Sequence, residues 1–215
     1  MSIKETTTKE KILTSIRNAL ITKGENPFDR VNFDESVYDD LKDEKEVVFA
    51  SKLLDNNGKF VYCEDTETAV SILKSLIAEK KWPSVFTPDD KLIGMLKPAG
   101  IDVVSDENLF LEVKAGITRC EFLIARFGSV MVSSAISAGR RMFVFPETHI
   151  VIAYASQVVT ELKEALVAMK EKYSGGFPSQ VTVITGPSRT ADIEKTLVMG
   201  AHGPKELYVF MIDDL

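Results

Sequence analysis

The chain alternates between stretches with helical periodicity and short apolar runs. Residues 66–79 and 88–96 repeat apolar positions at the spacing of one helix face, whereas residues 60–63, 84–86 and 103–104 are short apolar segments. Helices that lie between such strands act as crossovers and place the strands in parallel. The pattern therefore predicts an α/β fold.

The middle and the end of the chain extend this pattern. Four apolar segments follow one another with only turn residues between them, which predicts adjacent, partly antiparallel strands: 121–125, 129–134, 142–145 and 149–154. The remaining elements predicted are a long helix, a buried strand, a second helix and a final strand: 157–172, 180–184, 189–199 and 206–212.

The beginning of the chain has a different character. Residues 9–23 place Ile12, Ile16 and Leu20 on one helical face and end at Gly24, which predicts an amphipathic helix. Residues 25–46 contain nine acidic and three basic residues and favour a solvated connection, with an acidic docking arm as the alternative. We therefore expect an N-terminal helix and acidic connection over 1–45, and one α/β domain over 46–215.

Charge and composition exclude several classes of partner. The net charge of −6 over 215 residues gives no overall attraction to nucleic acid or to an anionic membrane. No apolar stretch approaches the roughly 20 residues of a membrane span, and the first 20 residues lack the apolar core of a secretory signal. We expect a cytoplasmic protein.

Few residues are available for metal chemistry. The chain has two cysteines and two histidines, and none has the spacing of a metal site. An iron–sulfur cluster normally needs four thiolates, so we expect no metal or cofactor in this chain. Electrons, where the reaction involves them, must then pass through other proteins.

The densest candidate site lies at 186–194, between a predicted strand and a predicted helix. Gly186 permits close backbone approach, Ser188 or Thr190 can cap the helix, and Arg189 can bind a carboxylate or phosphate, with Asp192 orienting it. A helix N-terminus at a strand end favours an anion. The alternative is an ordinary capped helix without a ligand.

Two other clusters carry possible site chemistry. In the first, His202 could transfer a proton near neutral pH and Lys205 could pair with an anion, although Gly203 and its neighbours also suit a simple turn. The second cluster combines a glycine and a serine between two apolar stretches with a pair of arginines at a turn, which are either anion ligands or solvated charges. Its members are Gly128, Ser129, Arg140 and Arg141.

Together, Gly-Pro-Ser-Arg-Thr-Ala-Asp-Ile-Glu at 186–194, Gly-Ala-His-Gly-Pro-Lys-Glu-Leu at 200–207 and Gly-Arg-Arg at 139–141 resemble the C-terminal signature of the LUD (lactate-utilisation) domain family. The resemblance is strongest over 116–215. It implies a three-layer α/β/α Rossmann-like core, similar to NagB, ribose-5-phosphate isomerase and CoA transferases. It also implies a role in converting L-lactate to pyruvate with iron–sulfur partner proteins.

The resemblance further implies that several residues form the rim of a pocket, without an assigned catalytic role. His202 is the candidate for a catalytic residue. The rim residues carried over are Gly186, Ser188, Arg189, Thr190, Asp192, His202, Gly203 and Lys205. One departure weakens the substrate inference: where the family commonly has Ala-Glu-Thr-Gly-Thr, residues 125–129 are Ala-Arg-Phe-Gly-Ser.

Three functions are compatible with these residues and this resemblance. The first is an accessory or substrate-handling subunit that binds a small anionic ligand beside iron–sulfur subunits. The second is a stand-alone enzyme acting on a small phosphorylated or CoA-linked acid. The third is a non-catalytic assembly factor. A homo-oligomer is compatible with each of them.

Overall fold

A computed structural model describes residues 7–21, 28, 30–32, 38–136, 141–191, 197–199 and 203–215. The chain divides into two compact units, Met1–Asp40 and Leu41–Leu215. In the first, helix α1 (Thr8–Ile21) confirms the predicted amphipathic helix, and none of its side chains is buried. Much of the predicted acidic connection lies outside the described residues.

The second unit is built from short elements. Its helices are α2 (Lys45–Asp55), α3 (Thr66–Lys80), α4 (Asp90–Leu96) and α5 (Leu162–Lys172). Its strands are β1 (Lys59–Cys63), β2 (Val85–Phe86), β3 (Val103–Val104), β4 (Ala115–Arg119), β5 (Phe122–Ile124), β6 (Ser129–Ser133), β7 (Thr148–Tyr154), β8 (Val158–Val159), β9 (Val181–Ile184), β10 (Arg189–Ala191), β11 (Leu197–Met199) and β12 (Glu206–Ile212). Within the described residues, no helix has the length and apolarity needed to cross a bilayer.

A six-stranded parallel sheet in the order β1-β12-β7-β4-β2-β3 forms the centre. Because side chains alternate along a strand, Phe210 and Ile150 face α3 and α4, while Val209 and Val151 face α2 and the second sheet. Both faces are apolar and covered, as parallel sheets require. The predicted α/β class is confirmed.

The second sheet has the order β8-β5-β6-β9 and mixes both pairing modes. β5 pairs antiparallel with β6 and parallel with β8, and β6 pairs antiparallel with β9. Its outer face packs on α5 through Ala165 and Met169, which contact Met131 and Ile124. The prediction of adjacent, antiparallel strands is confirmed for 121–125 and 129–134, whereas the segment predicted at 149–154 is β7 of the parallel sheet.

In this region one predicted element is wrong, and one predicted helix begins later than expected. Residues 142–145 form no strand: Arg141–Phe143 is a 3-10 turn, closed because the Arg141 carbonyl accepts from the amides of Val144 and Phe145. The long helix begins at Leu162 and not at 157, since Val158–Val159 pairs with β5. In both cases burial of apolar side chains against the sheets overrides local periodicity.

The predicted helix over 189–199 is also wrong. Arg189–Ala191 and Leu197–Met199 form an antiparallel hairpin, in which Thr190 stands opposite Val198. β-Branched residues favour extended backbone, and directly before β10 the Ser188 amide donates to the Pro204 carbonyl.

Candidate functional site

The two C-terminal motifs meet at the amino edge of the parallel sheet. The Ser188 amide donates to the Pro204 carbonyl at 2.8 Å, and a Cβ on Gly203 would lie 3.1 Å from Ser188 Cβ. The Lys205 amide donates to the Glu147 carbonyl at 2.8 Å, directly before β7 and β12 begin. The structure thus brings Ser188, Gly203 and Lys205 together.

Gly186 and Gly128 both lie where the C-terminal end of α2 leaves no room for a side chain. A Cβ on Gly128 would overlap the backbone of Lys52 and Leu53, and a Cβ on Gly186 would overlap the Asn56 carbonyl. Both glycines have positive φ, 61° and 78°. They therefore let the C-terminal end of α2 approach the ends of β5 and β9, which is a packing role.

The departure from the family pattern has a local explanation. Arg126, which stands where the resemblance implies a glutamate, donates from Nη2 to Glu161 Oε1 at 3.0 Å, so this cation is paired with a carboxylate. Three residues later, Ser129 Oγ lies 2.8 Å from Thr185 Oγ1 and links β6 to the end of β9.

The charged candidates at this edge are less organised. Lys205 Nζ lies 3.4 Å from Glu147 Oε1, with both side chains about half exposed. Arg189 and Arg141 are exposed. Because Gly186 leads into β10 and not directly into a helix, the argument from a helix N-terminus to an anion site is lost. Ligand binding by these residues stays a prediction.

Several predicted site residues cannot be placed in this group. Arg140, Asp192 and His202 lie outside the described residues, and Thr190 is described only by its backbone in β10.

The opposite, carboxyl edge of the parallel sheet carries an ion pair that the sequence did not reveal. Arg119, the last residue of β4, donates from Nε to Asp89 Oδ2 at 2.7 Å. Asp89 follows β2, its side chain is only 2% exposed, and its other oxygen accepts from the Lys91 amide at 3.0 Å. A buried carboxylate fixed in this way orients the guanidinium.

A buried carboxylate lies two residues further along the chain. Glu121 accepts from Lys172 Nζ at 2.7 Å, from the Tyr173 hydroxyl at 2.8 Å and from Ser133 Oγ. Burial alone would raise the pKa of the Glu121 carboxyl, but these three donors outweigh it and the pKa lies below its usual value. The cluster joins β4, β6 and the end of α5 as an ionised unit.

A buried histidine lies between the two sheets. His149 Nε2 is 2.8 Å from Thr118 Oγ1, whereas Nδ1 has no hydrogen-bond partner among the described residues. Burial lowers the pKa of His149 to about 4. The imidazole is therefore neutral near pH 7, and it packs against the Phe143 ring.

The cysteines show no sign of reactivity. Both are buried and free, and burial raises the pKa of Cys63 to about 11 and that of Cys120 to about 12. In the described part of the chain, no group of three His, Cys, Asp or Glu side chains could hold a metal ion.

Sequence reasoning missed Asp89, Arg119, Glu121 and Thr118. One signal was present: Asp89 and Glu121 are polar residues that come soon after buried strands, the position at which ligands bind in open α/β sheets. At Glu121 the signal was hidden because β4 was not predicted, whereas the strand that precedes Asp89 was predicted at 84–86.

Solved structures support the fold. The crystal structure of a DUF162 family protein from Deinococcus radiodurans superposes with a TM-score of 0.59 and covers 78% of this chain and 96% of its own. At 20% sequence identity, this likeness shows a shared fold.

Sequence relatives identify the family. Lactate utilization protein C of Bacillus subtilis is 33% identical over 144 residues, 66% of this chain and 57% of that protein. The protein of the same name from Geobacillus thermodenitrificans is 32% identical over 159 residues, 73% of this chain and 63% of that protein. The chain thus spans less than two thirds of the length of these curated relatives. The LUD domain model matches residues 104–212, about half of the sequence, and the chain belongs to the LUD domain family.

Proposed function

We propose that this chain takes part in lactate utilisation, as an accessory or substrate-handling subunit in the oxidation of L-lactate to pyruvate. The supporting observation is the similarity of its LUD domain to proteins named lactate utilization protein C, at 32–33% identity over 144–159 residues. Because the chain spans only part of those relatives, the proposal concerns the role of this domain.

The proposed division of labour follows from the chemistry of the reaction. Oxidation of L-lactate to pyruvate removes two electrons and two protons, which an acceptor must take up. The two cysteines are buried thiols with raised pKa values, fewer than the four thiolates of a usual iron–sulfur cluster. We therefore assign electron transfer to cytoplasmic iron–sulfur partner proteins and substrate handling to this chain.

Growth of a deletion strain tests the role. In a host without its other L-lactate dehydrogenases, deletion of the gene should abolish growth on L-lactate and leave growth on pyruvate unchanged. The full chain, returned on a plasmid, should restore growth. Normal growth of the deletion strain on L-lactate would contradict the proposal.

Co-purification tests the partners. The tagged full chain, isolated without oxygen from lactate-grown cells, should bring with it iron and acid-labile sulfide in proportion to its bound partners. The same chain purified alone from a foreign host serves as the control and should carry neither. Equal, background amounts in both preparations would show that it does not work beside iron–sulfur proteins.

A further inference from the structure

Arg119 has donors to spare at the carboxyl edge of the parallel sheet. A guanidinium carries five N–H groups, and only Nε is engaged, by the buried Asp89 carboxylate. Among the described residues, nothing accepts from its two terminal nitrogens. The side chain is 32% exposed, so these nitrogens are open to a ligand while Asp89 holds the group in place.

The position of Arg119 in the topology also favours ligand binding. From β2 the chain runs through α4 to β3, on the outer side of β2, whereas from β4 it runs through the second sheet to β7, on the opposite side. Leu96 of α4 and Leu123 of β5 belong to the cores on opposite faces of the sheet. At a reversal of this kind, open α/β sheets bind ligands beside the carboxyl ends of the two strands.

A second cation lies within electrostatic range. Burial acts to lower the pKa of Lys172, but the hydrogen bond and the charge of Glu121, with Tyr173, together raise it above its usual value, and the charge of Arg119 acts to lower it. Lys172 is half exposed and Glu121 is fully buried, so the positive charge of this pair is the one that faces solvent. The surface beside Arg119 is therefore suited to an anion.

We propose that Arg119 binds the carboxylate of a small organic acid at the carboxyl ends of β2 and β4, with Asp89 as its positioning residue. Planar guanidinium and planar carboxylate match through two parallel N–H···O bonds. The identity of the acid as L-lactate or pyruvate rests on the proposed function. The binding site itself rests on the geometry of Arg119, Asp89 and the reversal between β2 and β4.

Titration of the full chain with L-lactate and pyruvate labelled with 13C at the carboxyl carbon, followed by NMR, tests the site. Arg119→Lys keeps a cation beside buried Asp89 but removes the planar fork, and should weaken binding by roughly tenfold or more. Arg126→Lys is the matched control, because it makes the same change at another partly buried arginine–carboxylate pair. It should bind like the wild type. Unfolding curves establish that both variants are folded.

The outcomes separate this proposal from the proposed function. Equal binding by Arg119→Lys and wild type, or no binding by wild type, would overturn the site. So would inorganic phosphate that binds more tightly than lactate with the same dependence on Arg119, since the ligand would then be a phosphorylated compound. A deletion strain that grows on L-lactate would overturn the lactate role but leave an Arg119-dependent carboxylate site standing.

Discussion

Replacement of Gly128 by alanine should destabilise the fold strongly, because α2 leaves no room for a side chain. The new Cβ would overlap the backbone of Lys52 and Leu53, with Leu53 Cα at 2.8 Å. Backbone atoms cannot rotate away, so the cost resembles overpacking, about 1–3 kcal/mol. A left-handed φ of 61° adds about 1–2 kcal/mol for alanine. We expect a loss of about 3 kcal/mol in the free energy of unfolding.

The matched control is Gly94→Ala. Gly94 lies within α4, where an added Cβ meets nothing within 4 Å. Alanine in a helix interior is favoured over glycine by about 0.5–1 kcal/mol. The same chemical change should therefore stabilise the protein at residue 94 and destabilise it at residue 128.

Thermal unfolding of the two full-length variants measures both effects. For a protein of this size, 1 kcal/mol corresponds to about 2–4 °C, so Gly128→Ala should lower Tm by about 10 °C and Gly94→Ala should raise it by about 2 °C. Unchanged Tm in Gly128→Ala would refute the close packing of α2. An unchanged Tm together with a loss of carboxylate binding would instead indicate that Gly128 contributes to a ligand site, as the sequence suggested.

Two further predictions concern buried titratable groups. Donors from Lys172, Ser133 and Tyr173 outweigh burial and lower the pKa of Glu121. The resulting stability is present above the usual pKa of 4.5 and is lost as pH falls through the folded pKa. Glu121→Gln should therefore reduce the loss of unfolding free energy at acid pH, as measured by urea unfolding. For His149, burial lowers the pKa from 6.5 to about 4, so stability should fall by up to about 3 kcal/mol between these pH values, and His149→Phe should remove that fall. A His149→Phe profile that parallels the wild type would show that the imidazole is already protonated or accessible.

The local pattern of apolar residues was sufficient to predict helices and strands whose apolar side chains follow a regular spacing. The helical spacing at 66–79 and the apolar run at 206–212 both appear in the structure, the second without a shift in its bounds. It was insufficient for β4, in which Gly116 and Thr118 interrupt the apolar run. Gly116 is tolerated there because Met142 and Pro146 fill the space that its side chain would occupy. That compensation comes from residues about 30 positions away.

The error at 189–199 has a related cause. Ser-Arg-Thr-Ala-Asp-Ile-Glu satisfies every local rule for the start of a helix. The pairing of Arg189–Ala191 with Leu197–Met199, and the bond from Ser188 to Pro204, depend on where the two motifs lie in space. Tertiary hydrogen bonds outweigh propensities of a few tenths of a kcal/mol per residue.

The two edges of the parallel sheet also explain why the sequence located one candidate region and missed another. At the amino edge, Gly128 and Gly186 are glycines at turns, a signal visible in any sequence, although their contacts are with α2 and not with a ligand. At the carboxyl edge, Asp89 and Arg119 are ordinary charged residues 30 positions apart, and only the order of β2 and β4 makes them partners. The glycines in the sequence therefore pointed to the place where α2 packs against the ends of the strands. The charge arrangement suited to an anion depends on the strand order, which only the structure shows.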